Sequence, residues 1–170
     1  MIRIYLIGLM GSGKTTIGKK LAKKLNYQFV DLDELIEKKS GISIAEYFEI
    51  HGEEDFRILE QEALRETFLL QSAVISTGGG TSCFFSNLEE INTHGISIYL
   101  KTDVDLLISR LKGATNQRPL IKSMNSEELR VYLKKLTIER EEFYLKANLV
   151  VNAKDLTAEK LVLKLNLSRP

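Results

Sequence analysis

Gly8-Leu9-Met10-Gly11-Ser12-Gly13-Lys14-Thr15 satisfies G-x-x-x-x-G-K-[ST] at every fixed position, and its flanks decide the fold. Before it, Ile2-Arg3-Ile4-Tyr5-Leu6-Ile7 is a β-branched apolar run that stops at Gly8 and reads as a buried strand. After it, Ile17, Leu21, Ala22 and Leu25 fall on one helical face and Lys19, Lys20, Lys23 and Lys24 on the other, a solvated lysine face. Strand, glycine loop and helix in that order form a phosphate cradle. The glycines let the backbone wrap closely with its N–H groups turned inward, and the helix N-terminus adds its positive end. Lys14 is expected to reach the β- and γ-phosphates, and Thr15 to offer its hydroxyl to Mg²⁺. The loop implies a nucleoside triphosphate without naming a reaction.

Outward from the loop, apolar runs alternate with amphipathic stretches. Further strands are expected at 28–32, 73–77, 96–100 and 149–151. Helices are expected at about 33–39, from the Ser43-Ile44-Ala45-Glu46 capping box to near Gly52, from Glu53 to about Leu70, after Thr102-Asp103, from Ser126 to about Lys146, and after Thr157. His51 and His94 each precede a glycine at a helix end and read as caps. Five strands alternating with helices imply a three-layer α/β/α domain around a five-stranded parallel sheet covered on both faces. Ligands of such sheets bind beyond the carboxyl ends of the strands.

The 170 residues fit one domain, 1–170. With 44 % hydrophobic and 28 % charged residues, no membrane-length apolar run and a formal charge of +1, nothing points to nucleic acid or a membrane. The short apolar N-terminus reads as a core strand rather than a signal peptide. Cys83 is the single cysteine, so an internal disulfide is excluded, a cytoplasmic protein is the default, and the residue reads as small packing. Charged helix faces make a monomer the expected state.

Phe29-Val30-Asp31-Leu32-Asp33 ends the second strand with two carboxylates at i and i+2, on the same side if the strand continues. One suits a water of a magnesium shell and the other a hydroxyl proton; the pair equally suits a helix cap. Further along stand Gly52-Glu53-x-x-Phe56-Arg57-x-x-Glu60, Gly78-Gly79-Gly80, Arg118-Pro119-Leu120, and Arg140 with Tyr144 four residues on. This ordered set, behind Gly-x-Met-Gly-Ser-Gly-Lys-Thr, resembles the shikimate kinase family from about residue 3 to residue 152.

The resemblance implies transfer of the γ-phosphate of ATP to the 3-hydroxyl of shikimate, giving shikimate 3-phosphate on the route to chorismate and aromatic amino acids. ATP and shikimate are then the small-molecule partners, with one Mg²⁺. By the same resemblance Gly11, Ser12, Gly13, Lys14, Thr15 and Thr16 bind ATP, Arg110 stacks on adenine, and Arg118 reaches the phosphates from a lid over 112–125. Asp33 binds the ring hydroxyls and is the candidate base; Lys14 and Arg118 join it as catalytic residues. Arg57 and Arg140 grip the carboxylate, Gly79 and Gly80 offer backbone to the ring, and Thr15 and Asp31 serve magnesium, Asp31 through water. The acceptor region spans 31–62.

The residue chemistry agrees. A planar carboxylate suits arginine's fork better than lysine, and Arg57 lies three residues before Glu60, within pairing reach on a helix. In isolation both arginines also suit surface ion pairs, Arg140 especially within Glu139-Arg140-Glu141-Glu142. Phe56 reads as core. No acid ends the third strand, unlike many P-loop NTPases. Two other readings stay open: a different small-molecule kinase of this fold, such as a gluconate or adenylate kinase, and a non-catalytic ATP-binding regulator.

Overall fold

The computed structural model describes residues 2–112, 121 and 124–166. Its elements follow in chain order as β1 (Arg3–Ile7), α1 (Lys14–Leu25), β2 (Gln28–Asp31), α2 (Leu32–Ser40), α3 (Ile44–Thr67), β3 (Ala73–Ser76), a 3₁₀ turn (Thr81–Cys83), α4 (Asn87–His94), β4 (Ile96–Lys101), α5 (Val104–Lys112), α6 (Ser126–Tyr144), β5 (Leu149–Asn152) and α7 (Ala158–Lys164). The sheet order is β2-β3-β1-β4-β5, every pair parallel.

Ile4, Tyr5, Leu6 and Ile7 are all fully buried, as expected of a central strand covered on both faces. The strand period of two splits them. Ile4 and Leu6 pack with Ile17, Leu21, Val74 and Leu161 beneath α1 and α7. Ile7 packs with Leu107, Leu133 and Tyr144 beneath α5 and α6. Tyr5 packs with Leu32, Phe56, Leu64 and Ile91 beneath α2, α3 and α4. Each such side chain contributes about 1.5–3 kcal/mol by leaving water.

Ser43 and Glu46 form the expected capping box. Gly52, at φ 79° and ψ 179°, breaks α3 where the sequence suggests one helix ends and another starts. Thr157 caps α7 through the Lys160 N–H. α6 starts at Ser126, as expected, behind Asn125, which caps it in a box with Glu128. His94 Nδ1 lies 2.8 Å from the Glu90 carbonyl and its ring stacks on Phe68, whereas His51 packs beside Tyr47. Cys83 packs against the cluster around Tyr144. No helix among the described residues is long and apolar enough to cross a membrane.

The second strand ends sooner than its sequence suggests. Asp31 is the N-cap of α2 and Asp33 lies in that helix's first turn. The strand argument for their common direction therefore fails, because the chain turns between them. The cap reading holds for Asp31, whose Oδ1 accepts from the Asp33 N–H at 3.2 Å.

Candidate active site

β1 lies between β3 and β4, so the connections leaving the carboxyl end of β1 depart from a crevice where the strand order reverses. The glycine loop fills it. Gly11 and Gly13 have φ of 77° and 96°, and Gly13 caps α1 with no side chain satisfying that helix terminus among the described residues. The first turn of α1 thus turns its N–H groups toward the loop side, where a helix terminus favours an anion. Lys14 is buried, and its ammonium donates to the Gly8 and Leu9 carbonyls at 2.7 and 3.0 Å, which holds it across the loop. Ser12 Oγ is buried and has no hydrogen-bond partner among the described residues.

Thr15 Oγ1 donates to Asp31 Oδ2 at 2.8 Å and stands 3.3 Å from Ser76 Oγ at the end of β3. Hydroxyl and carboxylate oxygens are the donors magnesium prefers, and that ion is usually held by one or two protein groups with phosphate and water completing the shell. Thr15 and Asp31 fit such an ion, and the Asp31 cap fixes their geometry. A cavity of about 450 Å³ joins Lys14, Thr15, Asp31, Asp33 and Gly79 to Arg110; Gly11, Ser12, Gly13 and Thr16 also line it. Arg110 Nη1 donates to the Ser12 carbonyl at 2.8 Å, which fixes the guanidinium against the outer side of the loop. Ala153 and Leu156 line the same end.

The three glycines leaving β3 bring the other expected residues together. A β-carbon added at Gly78 would lie 2.9 Å from Glu60 Oε1 and 3.0 Å from Asp33 Oδ1. One at Gly79 would lie 3.4 Å from the Met10 N and 3.6 Å from Arg140 Nη1. One at Gly80 would lie 3.0 Å from Arg57 Nη1. Bare backbone here admits a carboxylate pair, one arginine and then the other at successive positions.

Arg57 is more than a surface ion pair, although it also meets the exposed Glu53 at 2.9 Å. The Arg57 side chain is 12 % exposed, and Nη1 donates to Glu60 Oε2 at 3.0 Å, with the Glu60 side chain only 2 % exposed. Glu60 Oε1 accepts from Thr81 Oγ1 at 2.6 Å, and Asn87 Nδ2 donates to the Thr81 carbonyl at 2.8 Å. The Phe84 ring lies 4.0 Å from the Arg57 guanidinium carbon and that of Phe56, itself buried, 5.2 Å. Arg140 reaches Gly79 and Tyr144. The Tyr144 hydroxyl donates to the Gly79 carbonyl. Burial pushes the Tyr144 phenol well above its ordinary range, with Arg140 acting the other way. Burial likewise raises the Cys83 thiol, against the pull of Arg140 and Arg57.

Arg118, with Pro119 and Leu120, lies outside the described residues, as does most of the expected lid over 112–125. Sequence reasoning missed Thr81, Ser76 and Phe84. A signal existed for Thr81, since a buried carboxylate needs a donor for its second oxygen. Phe84 had none: its position depends on the 3₁₀ turn and on Phe85 at φ 51°.

A family model described as shikimate kinase matches residues 10–167. A shikimate kinase of Azobacteroides pseudotrichonymphae is 44 % identical over 163 residues, covering 95 % of this chain and 96 % of the relative. One of Parabacteroides distasonis is 40 % identical over 159 residues, covering 94 % and 92 %. The crystal structure of shikimate kinase from Bacteroides thetaiotaomicron superposes with a TM-score of 0.92 at 39 % identity, covering 98 % of this chain and 97 % of that one. Shikimate kinase from Acinetobacter baumannii, solved in complex with shikimate, gives 0.87 at 35 %, covering 100 % and 96 %. A gluconokinase from Sinorhizobium meliloti, at 0.60 and 19 %, shares the fold alone.

Proposed function

The chain belongs to the shikimate kinase family, and on that premise we propose a full assignment of its reaction and residues. The enzyme transfers the γ-phosphoryl group of ATP to the 3-hydroxyl of shikimate. The hydroxyl oxygen forms a bond to the γ-phosphorus, the bond to the β,γ-bridging oxygen breaks, and ADP leaves. Asp33 takes the hydroxyl proton or, if that proton departs late, orients the hydroxyl. The α1 N-terminus and Lys14 hold the phosphates, with Gly11, Ser12, Gly13, Thr15 and Thr16, while Arg110 stacks on the adenine. Thr15, and Asp31 through water, would hold one Mg²⁺, which would supply neutralisation of the charge on the ATP phosphates. Arg57 and Arg140 bind the acceptor carboxylate, and Gly79 and Gly80 border the ring. Arg118, in a lid over 112–125, offsets charge on the transferring group. The single domain thus uses 31–62 for the acceptor. Its single cysteine and charged helix faces support a cytoplasmic monomer.

The observation that carries this reading is the exit of β3. Its glycines border the phosphate loop through Met10 and Gly8 and border Asp33, Arg140 and Arg57 on the acceptor side. Transfer needs both partners held in line within about 3–3.5 Å. The test is ADP release from Mg-ATP with and without shikimate, with gluconate as a control acceptor. Shikimate-dependent release, lost in Lys14→Ala and Asp33→Ala, is expected. ATP binding with no acceptor-dependent release would leave only the nucleotide site.

A further inference from the structure

Asn87 opens α4 and is fully buried. A carboxamide leaves water at a cost unless both its ends are paired. They are, and to different elements. Nδ2 donates to the Thr81 carbonyl at 2.8 Å, and Oδ1 accepts from Gln61 Nε2 at 3.0 Å. Gln61 stands next to Glu60 on α3, the helix that also carries Arg57. The carboxamide thus ties α3 to the 3₁₀ turn Thr81–Cys83. That turn brings two groups to Arg57. The buried Thr81 hydroxyl donates to Glu60 Oε1 at 2.6 Å, while Glu60 Oε2 accepts from Arg57. Phe84, which ends the turn, sets its ring 4.0 Å from the guanidinium carbon.

We infer that Asn87 is a positioning residue for the acceptor: its carboxamide, with Gln61, clamps the turn to α3 and so fixes Glu60 and Arg57 in the orientation that receives a carboxylate. This rests on the reading that Arg57 grips the acceptor's carboxylate. A two-point contact needs the guanidinium fork held in one plane, and a misplacement of about 1 Å is felt even when its cause lies away from the chemistry. Glu60 and Gln61 are neighbours on one helix, so a turn released from Gln61 also loses its register with Glu60. The effect is confined to one side of the crevice, because neither Gln61, Thr81 nor Asn87 lines the cavity that joins Lys14 to Arg110.

Asn87→Asp isolates the clamp. The carboxylate keeps the size of the side chain and still accepts from Gln61, but it has no donor for the Thr81 carbonyl. An acid in the first turn suits α4 itself, so loss of that helix is not the expected consequence. Calorimetry should show shikimate binding weakened about three- to ten-fold, with a matching rise in its KM and with KM for ATP within about two-fold of wild type. Gln61→Met cuts the other end of the clamp without burying a charge and should act in the same direction. Because Asn87 works through Thr81, Asn87→Asp combined with Thr81→Val should cost less than the two separate losses together. Fully additive losses would overturn that route and the positioning role with it. An Asn87 that serves only the fold would lower Tm in both single variants and leave shikimate binding at its wild-type value. That result, with binding lost in Arg57→Ala, overturns the positioning role alone, as does equal weakening of ATP and shikimate. Unchanged binding in Arg57→Ala removes the carboxylate grip itself and the inference with it.

Discussion

A carboxylate with 1 % of its surface exposed, such as Glu60, costs several kcal/mol to bury unless its lone pairs find donors. They do: Arg57 takes Oε2 and the Thr81 hydroxyl takes Oε1. Glu60 therefore has one geometry, and so does the guanidinium bound to it. The consequence is selective, because Glu60 approaches Gly78 on the proposed acceptor side, while the proposed nucleotide cradle is built from the loop and α1. Glu60→Ala is expected to raise KM for shikimate about ten-fold or more, equivalent to roughly 1.5 kcal/mol for a hydrogen bond to a charged group. KM for ATP should move much less. Steady-state kinetics with each substrate varied in turn checks this, and an equal rise in both values would mean that Glu60 supports the fold rather than Arg57.

At the scale of elements, the exit of β3 turns bare backbone into specificity. Gly78→Ala places a methyl group 2.9–3.0 Å from Glu60 Oε1, Asp33 Oδ1 and Thr81 Oγ1, all parts of one packed polar cluster. Something must shift, and each of these groups stands on the proposed acceptor side. The variant should lose most shikimate-dependent turnover while ATP still raises its Tm; loss of the ATP shift as well would mean that the whole crevice had collapsed. The importance of this segment was legible in sequence as three glycines at a strand end, as were the phosphate loop, the five strands and the Ser43 and Thr157 caps. These are local signals, fixed by periodicity and backbone sterics. The turn between Asp31 and Asp33 stayed undecided in the sequence because both residues suit a strand end and a helix start, and a local window cannot choose between them. The surroundings of Arg57 were illegible for another reason. Thr81 and Phe84 reach it across 21 or more residues of chain, through a 3₁₀ turn and a left-handed Phe85 that no propensity favours.

For the whole molecule, helices on opposite faces of one sheet must keep station if the crevice at its carboxyl end is to hold its shape. Charge pairs join neighbouring helices on both faces. Arg65 of α3 makes a two-point contact with Glu90 of α4, at 2.8 and 2.7 Å. Lys24 of α1 meets Glu159 of α7 at 2.9 Å on the other face. The surroundings hold both carboxyls below the usual range: Arg65 foremost lowers Glu90, and Lys24 foremost, with a backbone N–H and the Thr157 hydroxyl, takes Glu159 down to about 2. A folded-state value below the unfolded one means that folding favours the ionised form. Each contribution is complete above the ordinary glutamate value and fades as pH falls through the folded one. Glu159 is exposed, so solvent screens its share and salt should weaken it further. The expected signature is a difference in Tm between wild type and Glu159→Gln that is largest near pH 7 and closes between about pH 4.5 and 2. Glu90→Gln should close the same way, over a window starting near the same upper limit. Thermal melts at several pH values in low salt measure both. A difference that persisted unchanged at pH 2 would show that these side chains act through packing or helix propensity, and that the α1–α7 and α3–α4 contacts are held by their apolar faces alone.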